Sequence, residues 1–185
     1  ILSMFQRLCV PLRFLHGALP EGHPHAKVLA MPTGPTAPEV WLLGSSDQSA
    51  AVAAHFGVAF SFAHFINDAG GAEVTRAYRS QFRPSAWLAA PRASAAVFVV
   101  CADTEAEAQR LARSRDLFIV RLYTGRAGRY PSIEEAEAHP YTAHELAIVH
   151  HARRRTVAGA PEQVREQLEA LRAAYDADEL VIVTI

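Results

Sequence analysis

Four short apolar runs, separated by stretches with helical periodicity, constrain the fold of this chain more than any other feature. The runs cover residues 40–43, 59–65, 93–101 and 179–185. Strands that are apolar throughout must be covered on both faces, and intervening helices supply that cover while allowing parallel pairing. The sequence therefore predicts an α/β fold built on a parallel sheet of about four strands.

Helices are expected between these strands. The predicted segments are 48–56, 73–82, a helix that opens at 103–105 and ends near 115, and 162–175. The last of these has Pro161 in its first turn and repeats apolar residues at helical spacing. Together the segments predict a single domain over residues 1–185, made of successive strand–helix units.

Three other stretches are less regular. Residues 4–16 fit a short amphipathic helix that is interrupted or ends near Pro11, and residues 17–38 form a loop because they are dense in proline and glycine. Residues 116–158 are interpreted as an irregular insertion or lid, with short helices at 133–138 and near 143–151.

Composition excludes several classes of partner. The chain has 185 residues, of which 50% are hydrophobic and 20% charged, with a net charge of −1. This composition is typical of a globular domain and offers no basic surface for nucleic acid or an anionic membrane. The uncharged runs are too short to span a bilayer. The two cysteines are far apart in apolar settings, which predicts buried free thiols and a cytoplasmic location.

The first apolar run ends in a turn of small polar residues, Gly44, Ser45 and Ser46, and a helix follows. In parallel α/β folds, ligands bind beyond the carboxyl ends of the strands. Backbone amides at Asp47, Gln48 and the next residue would open the helix, whose positive end favours an anion. The same residues also suit a plain helix start with Ser46 or Asp47 as N-cap.

Four segments together resemble one known family. They are PEVWLLGSS, GVAFSFAHF, AAVFVVCADTEAEAQRLARS and AGAPEQVREQLEALRAAYDADELVIVTI. In this order and spacing they are similar to the luciferase-like flavin-dependent monooxygenases, the bacterial luciferase superfamily. The resemblance implies a TIM-barrel type fold, with this chain corresponding to strands five to eight of the family's barrel.

The resemblance also implies a cofactor and a site. In the family, the phosphate of reduced FMN lies against the turn after the fifth strand, which maps onto Gly44, Ser45, Ser46, Asp47 and Gln48. A Gly-Tyr pair is frequent in relatives where this chain has Asp47-Gln48, and an aspartate repels a phosphate unless its carboxylate points away or caps the helix. A separate reductase can supply the reduced FMN, which acts with dioxygen on a small-molecule substrate.

One further residue is a candidate for the cofactor or substrate cavity. His64 lies near the carboxyl end of the second run, where strand alternation places it on the same side as Phe60 and Phe62. A histidine satisfied by a neighbouring backbone group is an equally good interpretation. No residue is assigned a catalytic role, and no metal site is expected.

The resemblance accounts for only half of the family's barrel, so other strands would have to complete it. An eight-stranded barrel of this type needs about 250 residues, and an incomplete one leaves unpaired strand edges and a bare apolar face. One interpretation is a truncated enzyme or a fragment of a longer one. The alternative is a non-catalytic remnant that forms a homodimer or complements a separate amino-terminal half.

Overall fold

The computed structural model describes residues 4–32 and 38–184. The helices are α1 (Met4–Leu15), α2 (Asp47–Phe56), α3 (Gly71–Gln81), α4 (Glu105–Tyr123), α5 (Ile133–Ala138), α6 (Ala143–Arg153) and α7 (Pro161–Ala174). The strands are β1 (Trp41–Gly44), β2 (Ala59–Ala63), β3 (Ala93–Cys101), β4 (Thr156–Gly159) and β5 (Glu179–Val183). Strands and helices thus alternate through most of the described chain.

All strand pairings in the sheet are parallel, as predicted. β1 pairs with β2 and β2 with β3, and β3 also pairs with both β4 and β5. β5 pairs with the amino-terminal part of β3 and β4 with its carboxyl-terminal part, the two meeting at Phe98. The sheet does not close into a barrel within the described residues. The fold is therefore the incomplete parallel α/β sheet that the sequence predicts.

Local sequence explains the first strand–helix–strand unit. The alanine-rich segment of α2 favours a helix, and Gly57 ends it in the left-handed conformation with φ 63°. Phe60 and Phe62 then face the helices and are fully buried against α2 and α3, together with Tyr78. Burial of side chains of this size stabilises the fold by about 1.5–3 kcal/mol each.

The predicted irregular stretch 116–158 is largely regular. α4 continues past the predicted end near residue 115 to Tyr123, and its buried polar residues there have partners distant in sequence. Asp116 is paired with Arg153, and the Ser114 hydroxyl donates to the carbonyl of Pro131 at 2.5 Å. The stretch also contains α5, α6 and the beginning of β4, a fifth strand that the sequence did not predict because three arginines precede it.

Smaller differences concern the ends of elements and the thiols. β2 ends at Ala63 because the chain turns at residues 64–66, and α1 runs through Pro11 instead of breaking there, with Leu12 anchored in the core. Residue 185 of the predicted last strand lies outside the described residues. Cys101 is exposed and Cys9 only partly buried, so the predicted burial of both thiols is wrong.

Two strands leave apolar side chains exposed. Leu43 of β1 and Val181 and Ile182 of β5 are all more than two-fifths exposed. Within residues 4–32 and 38–184, no helix is long and apolar enough to cross a membrane.

Candidate functional site

The turn between β1 and α2 holds its own polar groups through a reciprocal cap. Ser46 is the N-cap of α2, and the Ser49 amide donates to its hydroxyl oxygen at 3.4 Å. In return the Ser46 amide donates to Ser49 Oγ at 3.3 Å, and Ser49 Oγ donates to the Ser46 carbonyl at 2.6 Å. The amides of Asp47 and Gln48 have no acceptor among the described residues. Two exposed N–H groups at the positive end of a helix are therefore available to an anion.

Glycine is required at the start of this turn. A Cβ on Gly44 would lie 2.2 Å from Ser49 Oγ and 2.3 Å from Ser49 Cβ. The Ser49 side chain thus occupies the space in which any other residue would place its first carbon. This close approach brings the end of β1 directly against the first turn of α2, which makes the turn compact.

The loop after β2 is tied to this turn. Asn67 donates from Nδ2 to the carbonyl of Ser45 at 3.3 Å and to that of Ala69 at 3.4 Å, and accepts from the Ala69 amide at 3.1 Å. The bond to Ser45 joins the loop at the carboxyl end of β2 to the turn at the carboxyl end of β1. Sequence reasoning missed Asn67, although its position just after an apolar strand is the same signal that singled out Gly44–Ser46.

His64 precedes Asn67 in the same loop. It is 9% exposed, and its Nδ1 lies 2.8 Å from the hydroxyl of Tyr175, the residue that follows α7. A Cβ on Gly71 would lie 2.3 Å from that hydroxyl, so the glycine leaves room for it. The alternation of Phe60, Phe62 and His64 agrees with the prediction, since Phe62 also contacts the Tyr175 ring. The interpretation of His64 as cavity-lining stays a prediction.

Chemistry assigns the direction of this hydrogen bond. Burial lowers the pKa of His64, an effect that Asp68 opposes and Arg155 reinforces. Burial also raises the pKa of Tyr175 to about 12, so the hydroxyl keeps its proton. If Nδ1 were the donor, the tyrosine O–H would have no acceptor among the described residues, and an unmet buried donor is costly. The tyrosine therefore donates to Nδ1, and the proton of the neutral imidazole is on Nε2.

Two arginines between α6 and β4 contact the loop after β2 from the other side. Arg154 donates to Asp68 at 3.0 Å, and Arg155 donates from Nη1 to the carbonyl of Ile66. The loop of residues 64–68 is thus held by the β1–α2 turn, by Tyr175 and by the arginines that precede β4. The tyrosine and the arginines are more than 80 positions away in sequence, and no local pattern signals them.

The predicted site residues therefore form two groups. Gly44, Ser45, Ser46, Asp47 and Gln48 lie together in the turn, and His64 belongs to the neighbouring loop, linked to the turn through Asn67. No cluster of three or more metal-ligating side chains occurs in the described part of the chain.

Comparison with known proteins decides the family. The family model described as "Luciferase-like monooxygenase" matches residues 15–178. This chain is a member of that family. The Bacillus subtilis (strain 168) protein YceB is 45% identical to it over 170 residues, which are 92% of this chain and 51% of YceB. The N-acetyl-S-alkylcysteine monooxygenase of the same organism is 34% identical over 176 residues, 92% of this chain and 51% of that enzyme.

A solved structure supports the same assignment. The crystal structure of apo-MsnO8 superposes on all of this luciferase-like chain with a TM-score of 0.80 and 33% sequence identity. The match covers 100% of this chain and 55% of MsnO8. This member of the family thus spans about half the length of the relatives it matches.

Proposed function

We propose that this chain contributes to a flavin-dependent monooxygenase reaction, in which reduced FMN and dioxygen act on a small organic substrate. Family membership supports the reaction class, and the exposed amides of Asp47 and Gln48 carry the assignment of the cofactor site. The turn lies at the carboxyl edge of a parallel sheet, where ligands bind in folds of this kind.

The residues of the turn fit the phosphate of FMN. The two amides and the positive end of α2 favour an anion, and Gly44 keeps the backbone of the turn compact. The Ser46 hydroxyl accepts from the Ser49 amide, and its own proton is directed to Ser49 Oγ at 3.3 Å, because Ser49 Oγ donates its proton to the Ser46 carbonyl. The Asp47 carboxylate is in the first turn of α2 and opposes a phosphate there electrostatically. The site is thus competent to bind an anion but weakened by its own aspartate.

When bound, the reduced flavin supplies the electrons that activate dioxygen. The protein's part is to hold the cofactor and to shape the site. The amides of Asp47 and Gln48 orient the phosphate, and Asn67 fixes the loop beyond β2 against the turn. Burial favours the neutral imidazole of His64 by lowering its pKa, and the hydrogen bond to Tyr175 orients the ring within that loop.

A charge-neutralising substitution tests the phosphate site. We expect Asp47→Asn to tighten FMN binding about fivefold, since the repulsion of two like charges at contact range, about 4 Å, is roughly 1 kcal/mol in a water-like dielectric. The measurement is quenching of flavin fluorescence during titration with protein. Riboflavin, which has no phosphate, serves as control ligand, and its affinity should not change.

Glu73→Gln is the matched control variant, because Glu73 lies in the first turn of a different helix, α3, and is exposed. It should leave FMN affinity unchanged. Equal effects of Asp47→Asn on FMN and riboflavin, or no effect on either, would exclude the turn as the phosphate site.

A second candidate function is that of a half-barrel that works through association. The exposure of Leu43, Val181 and Ile182 on the strands favours it, since apolar strand surface of this kind is normally covered. The partner is a second copy in a homodimer, or a polypeptide that supplies the other half of the barrel. In its non-catalytic form this half-barrel binds no flavin.

The mass in solution tests the association. We expect sedimentation equilibrium to give a dimer, and Val181→Lys to shift it toward the monomer. Leu146→Lys is the control, because Leu146 is comparably exposed but lies on α6. A monomeric wild-type chain that remains folded would contradict homodimerisation.

A further inference from the structure

Around the carboxyl-terminal half of β3, positive side chains outnumber negative ones. Two arginines there have carboxylate partners. Arg153 binds Asp116 through two bonds, from Nε at 2.8 Å and from Nη2 at 2.7 Å. Arg154 binds Asp68 at 3.0 Å. Both carboxylates are thereby committed to these two arginines.

Arg115 of α4 and Arg155, which precedes β4, are without such partners. They are 2% and 4% exposed. Nε and Nη1 of Arg115 and Nε of Arg155 are fully enclosed and have no hydrogen-bond acceptor in the described part of the chain. Arg155 uses Nη1 to bind the carbonyl of Ile66.

Both arginines lie near Phe98 of β3, Arg115 through its guanidinium and Arg155 through its place in the chain. The centre of the Arg115 guanidinium lies 4.2 Å from the centroid of the Phe98 ring. Phe98 pairs with Thr156, the residue directly after Arg155, and its ring also contacts that of Phe65 at a centroid distance of 5.6 Å. Arg115 therefore lies over one ring of an aromatic pair at the carboxyl end of the sheet, and Arg155 directly precedes the residue paired with that ring's strand position.

Burial without an anion is expensive for such groups. Arginine keeps its proton in proteins, and a buried charge left without a partner is strongly destabilising. Contact with an aromatic face offsets only part of this cost. Burial lowers the pKa of Arg115; Tyr130 and Asp116 raise it, while Arg155 and Arg153 lower it further. Two positive charges thus remain uncompensated in a mostly buried setting.

We propose that Arg115 and Arg155 bind the carboxylate or phosphate group of a small-molecule ligand. The planar guanidinium matches the oxygen geometry of both anions. Nη2 of neither arginine makes a hydrogen bond within the described structure, so this atom of each is left to donate to the ligand's oxygens. Phe65 and Phe98 offer an apolar wall to the rest of the ligand. This site uses none of the residues of the β1–α2 turn and goes beyond the proposed FMN-phosphate site.

Thermal unfolding in the presence of simple anions tests the proposal. The chain is titrated with sodium phosphate and, separately, sodium acetate at pH 7, with sodium chloride keeping the ionic strength constant. We expect a saturable rise in Tm with at least one of the two anions, and the stronger response identifies the ligand group. For Arg115→Met, the apparent Kd should be at least tenfold weaker and the Tm without oxyanion equal to or above that of the wild type.

Arg113→Met is the matched control, since Arg113 is an exposed arginine on the same helix. It should leave both Tm and the anion response unchanged. Arg155→Met should abolish the anion response as well. If loss of the bond to Ile66 prevents this variant from folding, Arg115→Met alone tests the proposal. The Arg115 side chain has no hydrogen bond to lose within the described structure. The proposal is overturned by absence of a saturable response, by a response that Arg115→Met leaves unchanged, as binding at the β1–α2 turn would give, by an equal loss in Arg113→Met, or by a lower Tm for Arg115→Met. None of these outcomes depends on flavin binding.

Discussion

Gly44 offers the sharpest test of how the turn is built. In Gly44→Ala, the new Cβ would lie 2.2 Å from Ser49 Oγ and 2.3 Å from Ser49 Cβ, well inside the contact distance of about 3.5 Å. Forcing an extra carbon into such a space costs about 1–3 kcal/mol. Displacing Ser49 also breaks the reciprocal cap, worth about 1 kcal/mol. We therefore expect Gly44→Ala to lower the free energy of unfolding by about 2–4 kcal/mol.

Urea unfolding followed by circular dichroism measures this change. A double-mutant cycle with Ser49→Gly locates its cause, because that substitution removes both atoms that the new Cβ meets. Ser49→Gly itself should cost about 2 kcal/mol, of which about 1 comes from glycine inside a helix and about 1 from the lost cap. The double variant should be more stable than the sum of the single effects predicts, by about 2–4 kcal/mol, because the steric cost disappears and the cap is lost only once.

Gly128→Ala is the control for the substitution itself. A Cβ there meets no atom within 4 Å, and the backbone is not in the left-handed region. The free energy of unfolding of Gly128→Ala should equal that of the wild type or exceed it by up to about 1 kcal/mol. If Gly44→Ala were equally harmless, or if Ser49→Gly gave no rescue, the close approach at this turn would not be as the structure has it.

Two further predictions concern pH. Burial lowers the pKa of His64 below its ordinary value of 6.5, so its contribution to stability is complete above pH 6.5 and declines as the pH falls further. His64→Gln should therefore flatten the fall in Tm between pH 7 and 5. The same substitution at His144, an exposed residue of α6, should not. The Thr142 amide and Arg126 lower the pKa of Glu145 to about 2 from 4.5. The stability lost in Glu145→Gln should therefore be full above pH 4.5 and vanish as the pH falls toward 2, and a pH-independent difference in acid unfolding would contradict this origin.

Elements with a strong local pattern were predictable. The strand Ala93–Cys101 and the helix Ile133–Ala138 occur with the predicted bounds, and the turn at Gly44–Ser46 forms the helix cap that its serines suggest. These features depend on periodicity, burial on both faces and capping, all of which act between residues close in sequence.

Features that depend on distant partners were not predictable. α4 continues past Asp116 because Arg153, 37 positions away, neutralises it. β4 exists because the carboxyl end of β3 extends beyond β5 and offers it an edge. The polar residues of α4 carry no local signal that the helix continues through them. The three arginines before β4 carry no local signal that a strand follows.

The candidate site likewise has features that follow from local sequence and features that depend on distant partners. The chain's own pattern determined a small polar turn at the end of a buried strand, because a strand end and a helix start are local events. Only the tertiary structure decided that Asn67 joins this turn, that Tyr175 is the partner of His64 and that Arg115 and Arg155 are buried without a carboxylate. Burial and pairing of polar groups depend on which elements pack together, and that packing is a property of the whole fold.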